Sequence, residues 1–323
     1  VSLFKKLKYP IMQAPIGSAC SLELTSAVSN AGALGSIALT WHSPEQTRTT
    51  ARYLLEKCNG PFAVNFACSF DCPGIEAAVE EGVPIITLSW GMPTDKIRQI
   101  KRSKSILGIQ IGSAEGARMA LDAGADFLIC QGVEAGGHVQ SSTPLLSLLE
   151  AVLNMDNSIP VIATGGIANA KDVTEALNAG ATMAALGTRF VNASESNAHA
   201  SYQQAISNAV EDDAVLTPCF DGDWPYSSVR VLRNRTLMDW EAHGCPPVGR
   251  RPGEGDIVAT TSAGWNIPRY HIASPVNTTT GEVLDLALYA GTSSARINDV
   301  LPAQEIIEQL CIKDAPNVTR IFN

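Results

Sequence analysis

The 323 residues are 45% hydrophobic, enough apolar mass for one large α/β domain with an appendage or for two domains, and too much for wholesale disorder. With 23 basic and 32 acidic side chains the net charge is −9, which argues against nucleic acid or an anionic membrane as the main partner, since both call for a basic face. A phosphate can still be held by an acidic protein through a local device such as a helix N-terminus and glycine amides.

The cysteines, Cys20, Cys58, Cys68, Cys72, Cys130, Cys219, Cys245 and Cys311, are scattered without a CxxC pair or zinc spacing. They predict free thiols, a cytoplasmic location and no metal site. The start, Val1-Ser-Leu-Phe-Lys-Lys6, lacks a signal-peptide core, and no apolar run approaches the length of a membrane span.

In chain order, short apolar segments alternate with amphipathic ones. Strands are predicted at 9–15, 34–38, 61–66, 84–88, 105–110, 127–130, 160–164 and 182–186. Between them, helical patterns run from Ser21 as N-cap and over 44–58, 75–81, 95–101, 114–123, 144–153 and 170–179, most of them stopped by Gly or Asn. Strict alternation with short turns implies a parallel sheet, and eight repeats favour its closure into a (β/α)8 TIM barrel.

The alternation breaks after Asn192. One more helix is expected over 195–210, and Thr217 to Tyr289 follows no barrel pattern while carrying Trp224, Trp240 and Trp265. A helical pattern resumes over 294–310. The expected organisation is a barrel of residues 1–198 plus 289–323, with residues 199–288 inserted as a smaller domain or lid between strand eight and the closing helix.

Ligands of this barrel type collect at the C-terminal ends of the strands. There the sequence places Gln13-Ala14-Pro15 after the first strand, Asn65 after the third and Gln131 to His138 after the sixth. Gly165-Gly166 follows the seventh, and Ala185-Leu186-Gly187-Thr188 ends the eighth. Glycines after strands seven and eight let backbone amides approach phosphate oxygens, and Thr188 can add a hydroxyl donor. Asn65 and Gln131 offer the paired donors and acceptors that a flavin's pyrimidine edge requires. Gln13-Ala14-Pro15 would set backbone against the ring, so flavin mononucleotide (FMN) fits these groups. Within Gly132-Val-Glu-Ala-Gly-Gly-His138, Gly136 and Gly137 give close approach and His138 is the natural acid or base, since imidazole titrates near neutrality. No Gly-x-Ser-x-Gly elbow or HExxH occurs, so hydrolase and zinc-protease readings have no support.

Four stretches carry a family resemblance: Pro10-Ile-Met-Gln-Ala-Pro15, Gly132-Val-Glu-Ala-Gly-Gly-His138, Ile162-Ala-Thr-Gly-Gly-Ile167 and Leu186-Gly-Thr-Arg-Phe190. With Val231-Leu-Arg-Asn-Arg235 and Leu288-Tyr-Ala-Gly291, the chain resembles the FMN-dependent nitronate monooxygenases over most of its length. The Glu-Ala-Gly-Gly-His run is shared with flavin-dependent enoyl-acyl-carrier-protein reductases. The resemblance implies that Asn65, Gln131, Gly136, Gly166 and 185–188 match positions that hold FMN, and that His138 matches the catalytic histidine. It implies oxidation of alkyl nitronates by O2 to a carbonyl compound and nitrite, with a homodimer compatible. The alternative is an NAD(P)H-dependent FMN reductase of enoyl or quinone type; a phosphate-ligand sensor would leave His138 unexplained. Two departures stand out: Val139-Gln140 follows the histidine where relatives usually have Arg-Gly, and Ala185-Leu186 stands where they often have Gln-Met.

Overall fold

The computed structural model describes residues 2–155, 159–225 and 227–311. The part of the expected barrel segment at 312–323 lies outside the described residues.

Eight parallel strands form one sheet: β1 (Ile11–Gln13), β2 (Gly35–Ala38), β3 (Phe62–Ala67), β4 (Ile85–Ser89), β5 (Ile106–Ile111), β6 (Phe127–Gln131), β8 (Val161–Thr164) and β9 (Met183–Leu186). A two-residue strand, β7 (Gly137–His138), lies in the loop after β6 and pairs elsewhere, so β8 and β9 are the seventh and eighth barrel strands. The helices between them are α1 (Leu22–Asn30), α2 (Pro44–Lys57), α3 (Ile75–Glu80), α4 (Thr94–Lys101), α5 (Ala114–Asp122), α6 (Leu145–Leu153) and α7 (Ala170–Asn178). Local chemistry sets several starts. Ser21, Ser43, Ser113 and Asn169 each accept a backbone N–H as N-cap, and Ser43 forms a reciprocal box with Gln46.

Sheet order runs β1-β9-β8-β6-β5-β4-β3-β2, and the two ends meet across a short seam. Met12 bridges Leu34, Leu34 N–H donates to Ile11 O at 2.9 Å, and Gln13 N–H donates to Leu34 O at 2.9 Å. The Gln13 side chain adds a further link, its Oε1 accepting the Ser36 N–H at 2.9 Å. The structure is thus a (β/α)8 barrel.

Side chains alternate across each strand, so every second residue points into the barrel. Its lower interior is apolar: Met12, Leu34, Ala63, Ile85, Phe127, Ile129, Ile162 and Met183 pack together, closed at the N-terminal end by Phe4 and Leu7. Gly108 makes room for this packing, because a Cβ there would fall 2.2 Å from the Phe127 ring. Outward-facing residues join the helices in a second, larger core that includes Ile11, Val64, Leu128 and Leu186.

After β9 come a four-residue helix α8 (Thr188–Val191) and α9 (Ala200–Ser207). The expected helix over 195–210 is shorter because His199 caps α9 through Nδ1, while Glu195 turns away to accept the Ala303 N–H. Strands β10 (Ala214–Thr217) and β11 (Val229–Leu232) pair antiparallel, and β11 also pairs with β7. Helix α10 (Arg235–Ala242), unforeseen in the sequence, precedes a second small sheet in which β12 (Ile257–Thr260) lies between β13 (Asn266–Pro268) and β14 (Thr280–Gly281). The turn-rich connection over 246–255 is held by Arg251, ion-paired at 2.6 Å with both Asp221 and Glu254 and lying over the Tyr270 ring. The last helix, α11, is Ala303–Leu310 rather than the longer span expected. Pro302 disfavours helical geometry at Leu301 and stands as N-cap of α11, while Ser294–Arg296 forms a separate short 3-10 turn.

Gln13→Leu leaves the buried Ser36 N–H at the seam without its acceptor and is expected to cost about 1–3 kcal/mol. Chemical denaturation of the variant beside wild type measures this; unchanged stability would remove the side chain from the barrel's closure.

Candidate active site

Where the inward-facing positions reach the C-terminal ends of the strands, their character changes from apolar to polar. Above Ala63 stands Asn65, above Ile85 come Thr87 and Ser89, above Ile129 stands Gln131, and above Ile162 stands Thr164. With Gln110 of β5 and Ala38 of β2, these residues floor a cavity at that face, Thr87 lying just beneath. The loops after β1, β6, β8 and β9 form its walls.

Most of the predicted residues meet there. Ala14, Pro15, Asn65, Gln131, Gly136, Gly137, His138, Gly165, Gly166, Ala185, Gly187 and Thr188 all line the same cavity. Gln13 and Leu186 do not. Both fall on the outward parity of their strands, one position beyond the inward Met12 and Ala185, and both are fully buried away from the cavity. Gln13 is spent on the barrel seam and Leu186 on the helix layer.

The carboxamides are partly committed to the protein. Asn65 Nδ2 donates to Thr87 Oγ1 at 3.1 Å and to Thr87 O at 3.3 Å, leaving its Oδ1 without a partner among the described residues. Gln131 Oε1 accepts the Gln140 N–H at 2.8 Å, and its Nε2 donates to His138 O at 3.3 Å. Gln131 therefore positions the histidine loop from beneath. Val139 and Gln140 belong to the same support: Val139 N–H donates to Ser228 O at 3.1 Å, and Gln140 Oε1 accepts from Gln110 Nε2 at 2.7 Å.

The glycines differ in what requires them. A Cβ on Gly136 would fall 2.5 Å from the Gly291 nitrogen, so the chain's own packing demands glycine there. On Gly187 a Cβ would meet only Ile16 Cγ2 at 3.5 Å and Ala14 Cβ at 3.9 Å, both ordinary contacts, and its φ is −99°. Protein packing does not explain Gly187; close approach of a ligand would. Beside it, the Thr188 hydroxyl accepts the Gly291 N–H at 3.0 Å and keeps its own hydrogen to give.

His138 is the one titratable imidazole on the cavity wall among the described residues. Strand β7 fixes its backbone against Val229 of β11. Its ring stacks on Trp224, centroids 4.1 Å apart and planes at 25°, with the Trp90 ring edge-on at 6.2 Å and Tyr289 at 5.6 Å. Burial among these rings pushes its pKa down to about 4, so the imidazole is neutral at pH 7. Its Nε2 is buried without a hydrogen-bond partner among the described residues. A buried polar atom left unpaired by the protein is costly, and of those among the described residues only this one belongs to a residue of the cavity wall.

Sequence reasoning missed Ser89, Gln110, Trp90, Trp224 and Tyr289 as cavity residues. Ser89 and Gln110 carried a signal, a polar residue on the inward parity at the end of an apolar strand. Trp90 carried one as well, standing directly after β4, whereas Trp224 and Tyr289 carried none because they arrive from the stretch that follows no barrel pattern. His42 lies outside the lining, which takes its neighbour Trp41 instead.

A (β/α)8 barrel that gathers glycine turns, carboxamides and one neutral imidazole around a single cavity defines an enzyme of the barrel class. The family model described as nitronate monooxygenase matches residues 2–74 and 71–313. The chain belongs to the nitronate monooxygenase family and is an oxidoreductase. It is similar to the nitronate monooxygenase of Pseudomonas aeruginosa, 30% identical over 295 residues, covering 76% of this chain and 83% of the relative. Among solved structures it resembles a nitroalkane oxidase from Streptomyces ansochromogenes, 25% identical with a TM-score of 0.77 over 96% of each chain. FabK from Thermotoga maritima is similar at 27% identity and a TM-score of 0.77, covering 99% of this chain and 94% of that one.

The depressed pKa makes stability depend on pH in a definite direction. Between its ordinary value of 6.5 and about 4, His138 binds a proton in the unfolded chain but not in the folded one. The stabilisation present above pH 6.5 is therefore lost as pH falls towards 4, up to about 3 kcal/mol. Urea denaturation at pH 7 and pH 5 should show a smaller loss for His138→Phe than for wild type; equal losses would contradict the buried neutral ring.

Proposed function

We propose that the cavity binds FMN and that the enzyme oxidises alkyl nitronates with O2 to a carbonyl compound and nitrite. The observation that carries this reading is His138, with its buried, unpartnered Nε2 on the wall of a cavity whose other groups suit a flat, phosphate-bearing ligand. Membership of the family supports the reaction, as does the likeness to the nitroalkane oxidase.

Gly165, Gly166, Gly187 and Thr188 would hold the phosphate, by amides brought close at glycine and by the Thr188 hydroxyl. Ala14, Pro15, Asn65, Gln131, Gly136, Gly137 and Ala185 would bound the ring, with Asn65 Oδ1 free to accept a ring N–H. When bound, the flavin supplies the electron transfer between nitronate and oxygen. His138 contributes a neutral imidazole that donates a hydrogen bond to the nitro oxygens or takes the α-proton when the neutral nitroalkane binds. The rings of Trp90, Trp224 and Tyr289 exclude water from that exchange and hold the imidazole in one orientation.

Residues 199–288 act as a lid over a barrel of which 2–198 and 289–311 carry the described part, since they deliver Trp224 to His138. The eight unpaired thiols fit a reducing compartment such as the cytoplasm. Among the described residues no helix is long and apolar enough to cross a membrane.

A second reading, an NAD(P)H-dependent FMN reductase, draws on the likeness to FabK. Oxygen uptake separates the two: nitronate-driven uptake by the yellow holoenzyme favours the oxidation, and uptake driven by NADH alone favours the reductase. His138→Ala should retain FMN and lose roughly two to four powers of ten in nitronate turnover. Near-normal turnover in that variant would remove the histidine from the chemistry. Gly187→Ala, whose Cβ makes only ordinary contacts in the protein, should fold normally and hold FMN more weakly than wild type; retention of flavin at wild-type stoichiometry would place the phosphate elsewhere.

A further inference from the structure

The cavity's roof is aromatic and its wall is uncharged. Among the described residues no Lys, Arg, Asp or Glu lines it. Trp90 and Trp224 meet edge to face, centroids 5.0 Å apart at 66°, directly beside His138. Phe70 extends the group outward, 4.8 Å from Trp224 and 5.3 Å from Trp41, a residue that is 60% exposed.

The two inner tryptophans are held in place by the backbone. Trp90 has φ of 59°, in the left-handed region that bulky side chains rarely occupy, and its carbonyl accepts the Ser69 hydroxyl at 3.0 Å. Asp223, before Trp224, has φ of 68°, and the Trp224 N–H donates to Asp221 O at 3.0 Å. Strain retained at such positions concentrates at ligand clamps. These rings are therefore a pre-formed surface rather than loose cover.

We propose that Trp90 and Trp224 are specificity-determining residues that select a nitronate bearing an aryl or other flat apolar substituent over one bearing a second charge. This rests on the nitronate reading above and names its substrate class. A carboxylate carried beside the nitro group would lose its water at the roof and find no cation in return. An aryl group would instead stack against indole faces and edges already in position. The neutral imidazole of His138 offers no cation to a second negative charge carried beside the nitro group.

The test uses the FMN holoenzyme in two arms. Oxygen uptake gives kcat/KM for the nitronates of 2-phenylnitroethane, nitroethane and 3-nitropropionate. Calorimetric titration gives binding of nitrobenzene and of 4-nitrobenzoate, which share a ring and differ by one carboxylate, and neither of which has an α-hydrogen to lose. The phenyl nitronate should exceed propionate 3-nitronate by about tenfold or more in kcat/KM, and nitrobenzene should bind more tightly than 4-nitrobenzoate by a similar factor. Trp224→Leu and Trp90→Phe should each lower the ratio of the phenyl to the ethyl nitronate, a ratio that cancels any common effect on His138. Turnover of no nitronate at all defeats the nitronate reading and this inference with it. Equal or better turnover of propionate 3-nitronate, equal binding of the two nitro compounds, or an unchanged ratio in both variants defeats the inference alone.

Discussion

The antiparallel pairing of Gly137 and His138 with Arg230 and Val229 ties the barrel's sixth loop to the inserted segment, and the site depends on it. Without that ladder, His138 would sit on an open turn, as its glycine-rich surroundings suggest. With it, the histidine backbone becomes an edge strand of a three-stranded sheet, and the side chain is delivered under Trp224. Gln131 braces the same turn from the barrel side, bonding both the His138 carbonyl and the Gln140 N–H. The segment that interrupts the barrel pattern is therefore half of what positions its titratable group.

The chemistry of that group follows from its neighbours. An imidazole packed against three aromatic rings loses hydration without gaining a charge partner, so burial lowers its pKa. A neutral ring at pH 7 can accept a proton or donate a hydrogen bond, and no group among the described residues pairs with its Nε2. The uncharged wall extends the same logic to the substrate, because low polarity around the histidine also sets what else can be buried beside it.

The barrel was legible because parallel strands covered on both faces read as short apolar runs, most of them preceded by a helix that ends on glycine or asparagine. Parity within those runs also carried the cavity floor. Asn65 and Gln131 were found at strand ends, while Ser89 and Gln110 were passed over although they occupy equivalent inward positions. Parity argues equally against Gln13 and Leu186, one residue out of phase with the inward Met12 and Ala185. What no local pattern reveals is the arrival of distant side chains. Trp224 lies 86 residues from His138 in sequence, and β7 is two residues long, too short for any periodicity. Gly136 shows a further limit: its glycine character looked like ligand approach, yet the backbone of Ala290 and Gly291 accounts for it.

The most direct measurement is anaerobic addition of an alkyl nitronate to the purified yellow holoenzyme, followed by its visible absorption. Bleaching by the nitronate, reversed when oxygen is admitted with release of carbonyl compound and nitrite, is the predicted result. A flavin that ignores nitronate and is bleached by NADH, or a protein that takes up no FMN, would contradict the account.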